Sequence, residues 1–209
     1  MNEFVKETRG NINFYNCDCI EFMKTKPDNY YDLAIVDPPY GIDIAKWDTK
    51  EHKPKPEYFE QLFRISKNQI IWGGNYFDLP HTDAWICWYK KPFLEQQAHF
   101  ELAWTSFDMK SKMIEYTYAG NAEGLNKVKV DYKKKSIHEA QKPVNLYRIL
   151  LNDYAEIGFK ILDTHGGSHT HAIAAALEVF ELDIIEIDEK YFNDGLNAFD
   201  EYKRQLKLF

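Results

Sequence analysis

Asp37-Pro38-Pro39-Tyr40 places an acid, two rigid prolines and an aromatic directly after the apolar run Leu33-Ala34-Ile35-Val36. That run reads as a buried strand, so the tetrapeptide stands at a strand's C-terminal end, where open α/β sheets bind their ligands. Proline removes a backbone donor and restricts the residue before it. Asp37 is therefore held extended, and the carbonyls of Asp37 and Pro38 have no helix to point into. A carboxylate and a carbonyl beside a flat ring suit a planar amino group stacked on an aromatic. A nucleobase with an exocyclic NH2 is such a group.

A second constellation, Asp163-Thr164-His165-Gly166-Gly167-Ser168, follows the strand pattern Phe159–Leu162 and opens a helix. Glycines there let backbone approach a ligand closely, and a helix N-terminus favours negative or polar groups. Glu186 closes the next strand, with Ile187 beside it. That is roughly the twenty-residue spacing from which an acid reaches ribose hydroxyls in Rossmann-like sites. There is no Gly-x-Gly-x-x-Gly and no Walker lysine, which disfavours dinucleotide and nucleoside-triphosphate sites.

The elements that must hold these groups alternate along the chain. Strand patterns at Ile12–Tyr15, Leu33–Val36, Gln69–Trp72, Trp85–Tyr89, Phe100–Thr105, Phe159–Leu162 and Asp183–Ile187 are interleaved with helix patterns at Asp18–Met23, Pro56–Ile65, Pro143–Tyr154, Thr170–Val179 and Tyr191–Leu206. The expectation is an α/β fold, a mostly parallel twisted sheet with helices on both faces. Residues 41–55 read as a long polar loop, and periodicity fades from about 108 to 137, as in an inserted surface segment. The length of 209 residues fits one domain.

Composition narrows the class. Hydrophobic content of 44% and aromatic content of 16% indicate a globular chain. No apolar run reaches a membrane span and Met1-Asn2-Glu3 opens no secretory signal, so a cytoplasmic protein is expected, without membrane contact. The odd number of cysteines, Cys17, Cys19 and Cys87, suits a reducing compartment. His165, His169 and His171 near Cys17 and Cys19 match no common zinc spacing, and no metal is expected. A net charge of −7 argues against a surface that grips nucleic acid everywhere. It permits a local basic face, and Lys110, Lys112, Lys133, Lys134 and Lys135 cluster in the aperiodic segment as candidate DNA contacts.

Taken together, these pieces resemble the amino-group DNA methyltransferases that use S-adenosylmethionine, over nearly the whole chain. Asp37-Pro38-Pro39-Tyr40 is similar to their catalytic tetrapeptide. Asp18 and Cys19 fall where their adenine-contacting segment lies, and Gln141-Lys142-Pro143 where the methionine side of the cofactor is lined. Ile71–Phe77 and Phe100–Ser106 are similar to the segments of the target pocket. Because the catalytic motif precedes the Gly-rich one, the order resembles the permuted beta class. The resemblance implies a Rossmann-like methyltransferase fold over residues 1–209, with 108–137 as a short target-recognition segment. It also implies binding of S-adenosylmethionine by Asp18, Cys19, Asp37, Gln141, Lys142, Pro143, Asp163, Thr164, His165, Gly166, Gly167, Ser168, Glu186 and Ile187. S-adenosylhomocysteine would be the product, double-stranded DNA the partner, and a homodimer is compatible.

The implied reaction is direct methyl transfer to adenine N6. Asp at the first position of the tetrapeptide favours adenine, with cytosine N4 as the alternative and a non-catalytic DNA-binding relative as another. The chain departs from the family's usual Asp-Pro-Phe-x-Gly-Ser-Gly-Thr-Thr turn at Thr164, His165, His169 and His171. His169, in place of a glycine, is the departure expected to bear on cofactor affinity.

Overall fold

The computed structural model describes residues 4–43, 45–90, 98–119, 122–123, 128–129 and 141–206. Two strands, β1 (Val5–Arg9) and β2 (Ile12–Asn16), form an antiparallel hairpin. There follow α1 (Cys19–Lys24), β3 (Tyr31–Val36), α2 (Pro56–Ile65) and β4 (Ser66–Trp72), then a single 3-10 turn at Gly74–Tyr76. Next come β5 (Trp85–Tyr89), β6 (Phe100–Thr105) and β7 (Lys112–Glu115). Three two-residue strands, β8 (Tyr118–Ala119), β9 (Ala122–Glu123) and β10 (Val128–Lys129), make a separate small sheet. The chain closes with α3 (Val144–Tyr154), β11 (Lys160–Asp163), α4 (Thr170–Leu177), β12 (Glu181–Glu186) and α5 (Glu189–Leu206).

The main sheet has nine strands in the order β1-β2-β12-β11-β3-β4-β6-β5-β7. From β2 to β4 every pairing is parallel, whereas β6 runs antiparallel to both of its neighbours. Strand residues alternate between two cores, as period-2 geometry requires. Leu33, Ile35, Ile70 and Ile161 pack with α3, α4 and α5, whereas Ala34, Val36, Ile71 and Leu162 pack with α1 and α2. Each fully buried Leu or Ile contributes roughly 1.5–3 kcal/mol of hydrophobic stabilisation. The central strands are apolar on both faces because helices cover both.

Local signals explain the helix boundaries. Asp18 caps α1, its Oδ1 accepting from Ile20 N and Glu21 N, and Glu21 stands three residues on as in a capping box. Pro56 opens α2, where its missing N–H costs nothing, and Tyr58, Phe59, Leu62 and Ile65 form its buried stripe.

Two edge elements go beyond the sequence expectation. β1 is almost wholly exposed, and its Lys-Glu-Thr-Arg run carries no apolar alternation to mark it. β7 joins the main sheet beside β5, so part of the stretch expected to be an insertion is an edge strand. All three cysteines are free. Among the described residues, no helix is long and apolar enough to cross a membrane.

β11 and β3 are hydrogen-bonded parallel neighbours. From β11 the chain proceeds through α4 to β12 on one side, and from β3 through α2 to β4 on the other. The reversal makes a topological switch point, and the crevice beyond the carboxyl ends of these two strands is the expected ligand site. Asp163 ends β11, and Asp37 directly follows β3.

Candidate active site

The β3 side of this crevice is a buried ionic network. Lys142, just ahead of α3, donates from Nζ to Asp37 Oδ2, and the Tyr40 hydroxyl donates to Asp37 Oδ1 at 2.7 Å. The ammonium also lies 3.2 Å from Glu101 Oε2 on β6 and 3.3 Å from the Tyr40 hydroxyl. Lys90 pairs with the other oxygen of Glu101. The Trp72 ring centre lies 5.0 Å from the Lys142 ammonium, near enough for a cation–π contribution.

Burial pushes the Asp37 carboxyl above the usual carboxylate range; Lys142 pulls it down and Glu101 pushes it up. Burial alone would also raise Glu101, but Lys142 and Lys90 outweigh it and hold that carboxyl at about 2. Burial would lower Lys142, yet Asp37 and Glu101 together raise it. The ammonium therefore stays charged.

Tyr40 is positioned from two directions. Asp48, 0% exposed, accepts the backbone N–H groups of Tyr40 and Gly41 on Oδ1 at 2.5 and 2.9 Å, and that of Ile42 on Oδ2 at 3.1 Å. The loop after the tetrapeptide is thus wound around a buried carboxylate. On its other side the Tyr40 ring lies against Gly73: a Cβ there would sit 2.2 Å from Tyr40 Cε1, and Gly73 has φ +66°. Glycine is required at this position on both counts. The Tyr40 ring also stacks on Tyr76, with centres 5.2 Å apart and planes 17° apart.

The β11 side is built differently. Asp163 Oδ1 accepts His165 N at 3.0 Å, and Oδ2 pairs with His171 Nδ1 at 3.0 Å. The His171 ring stacks on Tyr147 at 4.4 Å. Asp163 is therefore committed to holding the turn from within. Thr164 Oγ1 shares hydrogen bonds with the Tyr58 hydroxyl (2.6 Å) and with His165 Nδ1 (2.9 Å). Burial lowers His165 to about 4, so its ring is neutral at ordinary pH.

Gly167, with φ +52°, donates its N–H to Glu186 Oε2 at 2.7 Å, and Asp188 N donates to Oε1 at 2.8 Å. Burial raises the Glu186 carboxyl, with those two N–H groups pulling the other way. Ile187 beside it is 68% exposed. Asp18 stands at the end of β2, its carboxylate capping α1, and burial pushes the Cys19 thiol up to about 12.

His169 departs most from its expected place. It caps α4 in the left-handed region, φ +56°, and its ring is 0% exposed. The ring lies behind the turn against Phe14, Phe192 and the Cα of Gly195, where a Cβ would be 2.4 Å from Nδ1. It faces the core, not the crevice, and neither ring nitrogen has a hydrogen-bond partner among the described residues.

Of the sequence candidates, Asp37, Tyr40 and Lys142 meet directly. Thr164, His165, Gly166, Gly167 and Glu186 border the neighbouring strand ends, with Ser168 buried behind them. Pro38, Pro39, Gln141 and Pro143 flank the network in sequence. Lys110 and Lys112 are exposed, and the Lys112 ammonium lies 5.1 Å from the Tyr154 ring centre at the far end of α3. Lys133, Lys134 and Lys135 lie outside the described residues. Asp48 was not among the sequence candidates, and Gly73 and Glu101 entered only within the segments similar to the target pocket, with no role of their own. A Gly-Gly pair after a strand and an acid inside a long loop were the available signals.

By sequence, no family model matches the chain and no curated protein is similar to it. Solved structures are similar in fold. The complex of M1.HpyAVI with S-adenosylmethionine superposes with a TM-score of 0.60 at 18% identity, over 90% of this chain and 99% of that one. The cytosine-N4-specific PvuII DNA methyltransferase gives 0.64 at 15% identity, over 94% and 89%. TTHA0409 of Thermus thermophilus, assigned as a DNA modification methylase and solved with S-adenosyl-L-methionine, gives 0.56 at 15% identity, over 88% and 91%. The chain therefore has the α/β fold of these methyltransferase structures, with a mostly parallel sheet and its tetrapeptide ahead of its Gly turn.

Proposed function

We propose that this chain is an S-adenosylmethionine-dependent DNA methyltransferase acting on an exocyclic amino group, adenine N6 in particular. One observation carries the reading: β3 and β11 are parallel neighbours, so the bonded pair Asp37–Tyr40 and the Gly166-Gly167 turn that Glu186 closes follow adjacent strand ends at the switch point.

The residues on the β11 side fit the cofactor. Each Glu186 oxygen accepts one N–H and keeps a lone pair for a ribose hydroxyl. Exposed Ile187 offers an apolar surface to an adenine ring, and Asp18 and Cys19 open α1 just past the end of β2, the strand beside β12. Gln141, Lys142 and Pro143 would flank the methionine end. Bound there, S-adenosylmethionine would supply an electrophilic sulfonium methyl and leave as S-adenosylhomocysteine.

The chain's own residues handle the acceptor. Asp37 and the Pro38 carbonyl accept hydrogen bonds from the amino group and so aim its lone pair. Tyr40 offers its ring to the base, which must leave the duplex because a paired amino nitrogen is out of reach. Holding both reactants in line supplies several kcal/mol of the barrier reduction, about 7 or more where alignment is good. The nitrogen that gains the methyl must shed a proton, and Asp37 is the acceptor already bonded to it. Aspartate at position 37, where serine would favour cytosine, is our reason for choosing adenine.

DNA contact falls to the segment after β7. β3, β4, β5 and β7 run in the same direction, so the chain leaves β7 at the same edge of the sheet as Asp37. Lys112 stands at the start of β7 with its ammonium drawn towards Tyr154.

The test is labelled methyl transfer to unmethylated double-stranded DNA, followed by nucleoside analysis. N6-methyladenine is expected. N4-methylcytosine would keep the enzyme and change the base. No label, together with no cofactor binding by calorimetry, would overturn the reading in favour of a non-catalytic DNA-binding protein.

A further inference from the structure

Two carboxylates compete for Lys142. Its ammonium donates to Asp37 and lies 3.2 Å from Glu101 Oε2, while its side chain is 4% exposed. A charge so removed from water must keep an anion beside it, because an isolated buried ion is strongly unfavourable. Asp37, however, has to give acceptor capacity to a substrate amino group. That group is neutral, so the ammonium still needs an anion beside it when the group arrives.

Resting on the reading of Asp37 as the acceptor for that amino group, we propose that Glu101, acting through Lys142, is a positioning residue for methyl transfer. It gives the ammonium a second carboxylate to rest on, so that Asp37 can turn to the substrate. Glu101 is anchored for this role. It lies on β6 opposite Trp88 of β5, and Lys90 holds its other oxygen. Asp37 and Glu101 carry two negative charges, Lys142 and Lys90 two positive ones. Moving Lys142 from one acid to the other therefore leaves the net charge of the network unchanged.

The groups facing Asp37 come from several elements. They are Tyr40 on its own loop, Lys142 and Tyr147 from the α3 side, Glu101 from β6 with Lys90 behind it, and Tyr58 from α2. Burial pushes the Tyr40, Tyr58 and Tyr147 phenols well above their usual range, so they stay neutral. Lys142 and Glu101 are left as the charges that set Asp37 directly.

The experiment follows the Asp37 carboxyl by 13C NMR in aspartate-labelled protein, assigned with Asp37→Asn, without DNA or cofactor. Wild type, Glu101→Gln and Lys142→Met are compared. Single-turnover transfer is then measured against pH. Removing the like charge in Glu101→Gln should lower the Asp37 titration by about one unit, and removing the cation in Lys142→Met should raise it by about one to three. Glu101→Gln should nonetheless transfer roughly tenfold more slowly on its pH plateau, with cofactor affinity unchanged, because Lys142 has only Asp37 left to rest on. Glu101→Asp, which keeps the charge, should recover most of that rate.

Titrations that fail to move in opposite directions, or a wild-type plateau rate in Glu101→Gln, would overturn the proposal. Opposed titrations in a wild-type protein that transfers no methyl would overturn the methyltransferase reading. The role in transfer would go with it, while the ion network itself would stand.

Discussion

The two sides of the switch point hold their functional groups by opposite means. On the β3 side, Asp37 is fixed by charge: Lys142, the Tyr40 hydroxyl and Glu101 form a closed polar network, and Asp48 gathers three backbone donors into one buried carboxylate. On the β11 side the turn is fixed largely by shape. His169 is wedged unpaired into a slot that Gly195 leaves open, and the histidine facing the crevice is neutral. Glu186 and Asp163 add hydrogen bonds there, but neither pairs with a lysine or arginine among the described residues. On the proposed reading, the side that would orient a substrate amino group uses directional, charged bonds, and the side that would hold the adenosyl part of the cofactor relies more on packing. Substitutions should therefore fail differently on the two sides, through rate on the first and through stability or affinity on the second.

The largest expected effect is at Asp37. Asp37→Asn keeps the shape but offers an amide N–H where the substrate brings its own donor. Transfer should fall by about a thousandfold or more, as when a preorganised transition-state contact is removed. Cofactor affinity by calorimetry should stay within a few-fold, because the acid addresses the base. A variant that transferred at wild-type rate would break the mechanism, and one that lost cofactor binding instead would erase the division between the two sides.

Next in size is the support of Tyr40. Gly73→Ala puts a methyl 2.2 Å from the Tyr40 ring at a left-handed φ, so the ring must move. Misplacing an aligned group by about an ångström costs on the order of a hundredfold in rate, and that loss is expected here with cofactor affinity unchanged. Asp48→Ala should combine a rate loss of similar order with lower stability. Three part-buried N–H groups lose their acceptor, at about 1–3 kcal/mol for each that water cannot reach. Urea unfolding beside single-turnover kinetics would separate the two effects.

Much of this was legible in the residues, for physical reasons that also mark where legibility stopped. The buried strands are apolar on both faces, so Leu33–Val36 announced β3 and set Asp37 at its end. The Gly166-Gly167 pair and the spacing to Glu186 are local signals, and in the structure Gly167 N donates to Glu186 Oε2. Glu101 falls in an alternating strand pattern within a segment similar to the target pocket, but its pairing with Lys142 is not readable there, because the Asp37–Lys142–Glu101 contact joins three segments distant in sequence and no local pattern encodes it. Asp48 lies in a stretch of lysines and acids that looks solvated; its burial follows from the loop folding back on itself. β1 escaped notice because an exposed edge strand needs no apolar face. Gly195, alone inside the pattern of α5, was a readable hint. An isolated glycine in a helix costs stability and so points to a packing reason, and here that reason is the ring of His169.

That pair supplies the smallest and most diagnostic contrast. Burial lowers His169 to about 4, below the roughly 6.5 of an unfolded imidazole. Between those values the unfolded chain binds the extra proton, so lowering the pH destabilises the fold by up to about 1.4 kcal/mol per pH unit from this residue alone. Above the upper value the penalty is absent. His169→Gly relieves a left-handed backbone worth about 1–2 kcal/mol, but empties a buried site whose loss costs about 2–4 kcal/mol, so at pH 7.5 it should be modestly less stable. As the pH falls from about 6.5 to 4 the deficit should shrink, because only the wild type carries the buried imidazole. Gly195→Ala should destabilise the wild type, where the new methyl meets His169 at 2.4 Å. In the His169→Gly background the same alanine gains room and about 1 kcal/mol of helix propensity, so its sign should reverse. Thermal unfolding of the four proteins across this pH range reads both effects. Parallel curves, or an alanine that costs the same in both backgrounds, would mean that the β11 side is not held by the fit of ring to glycine.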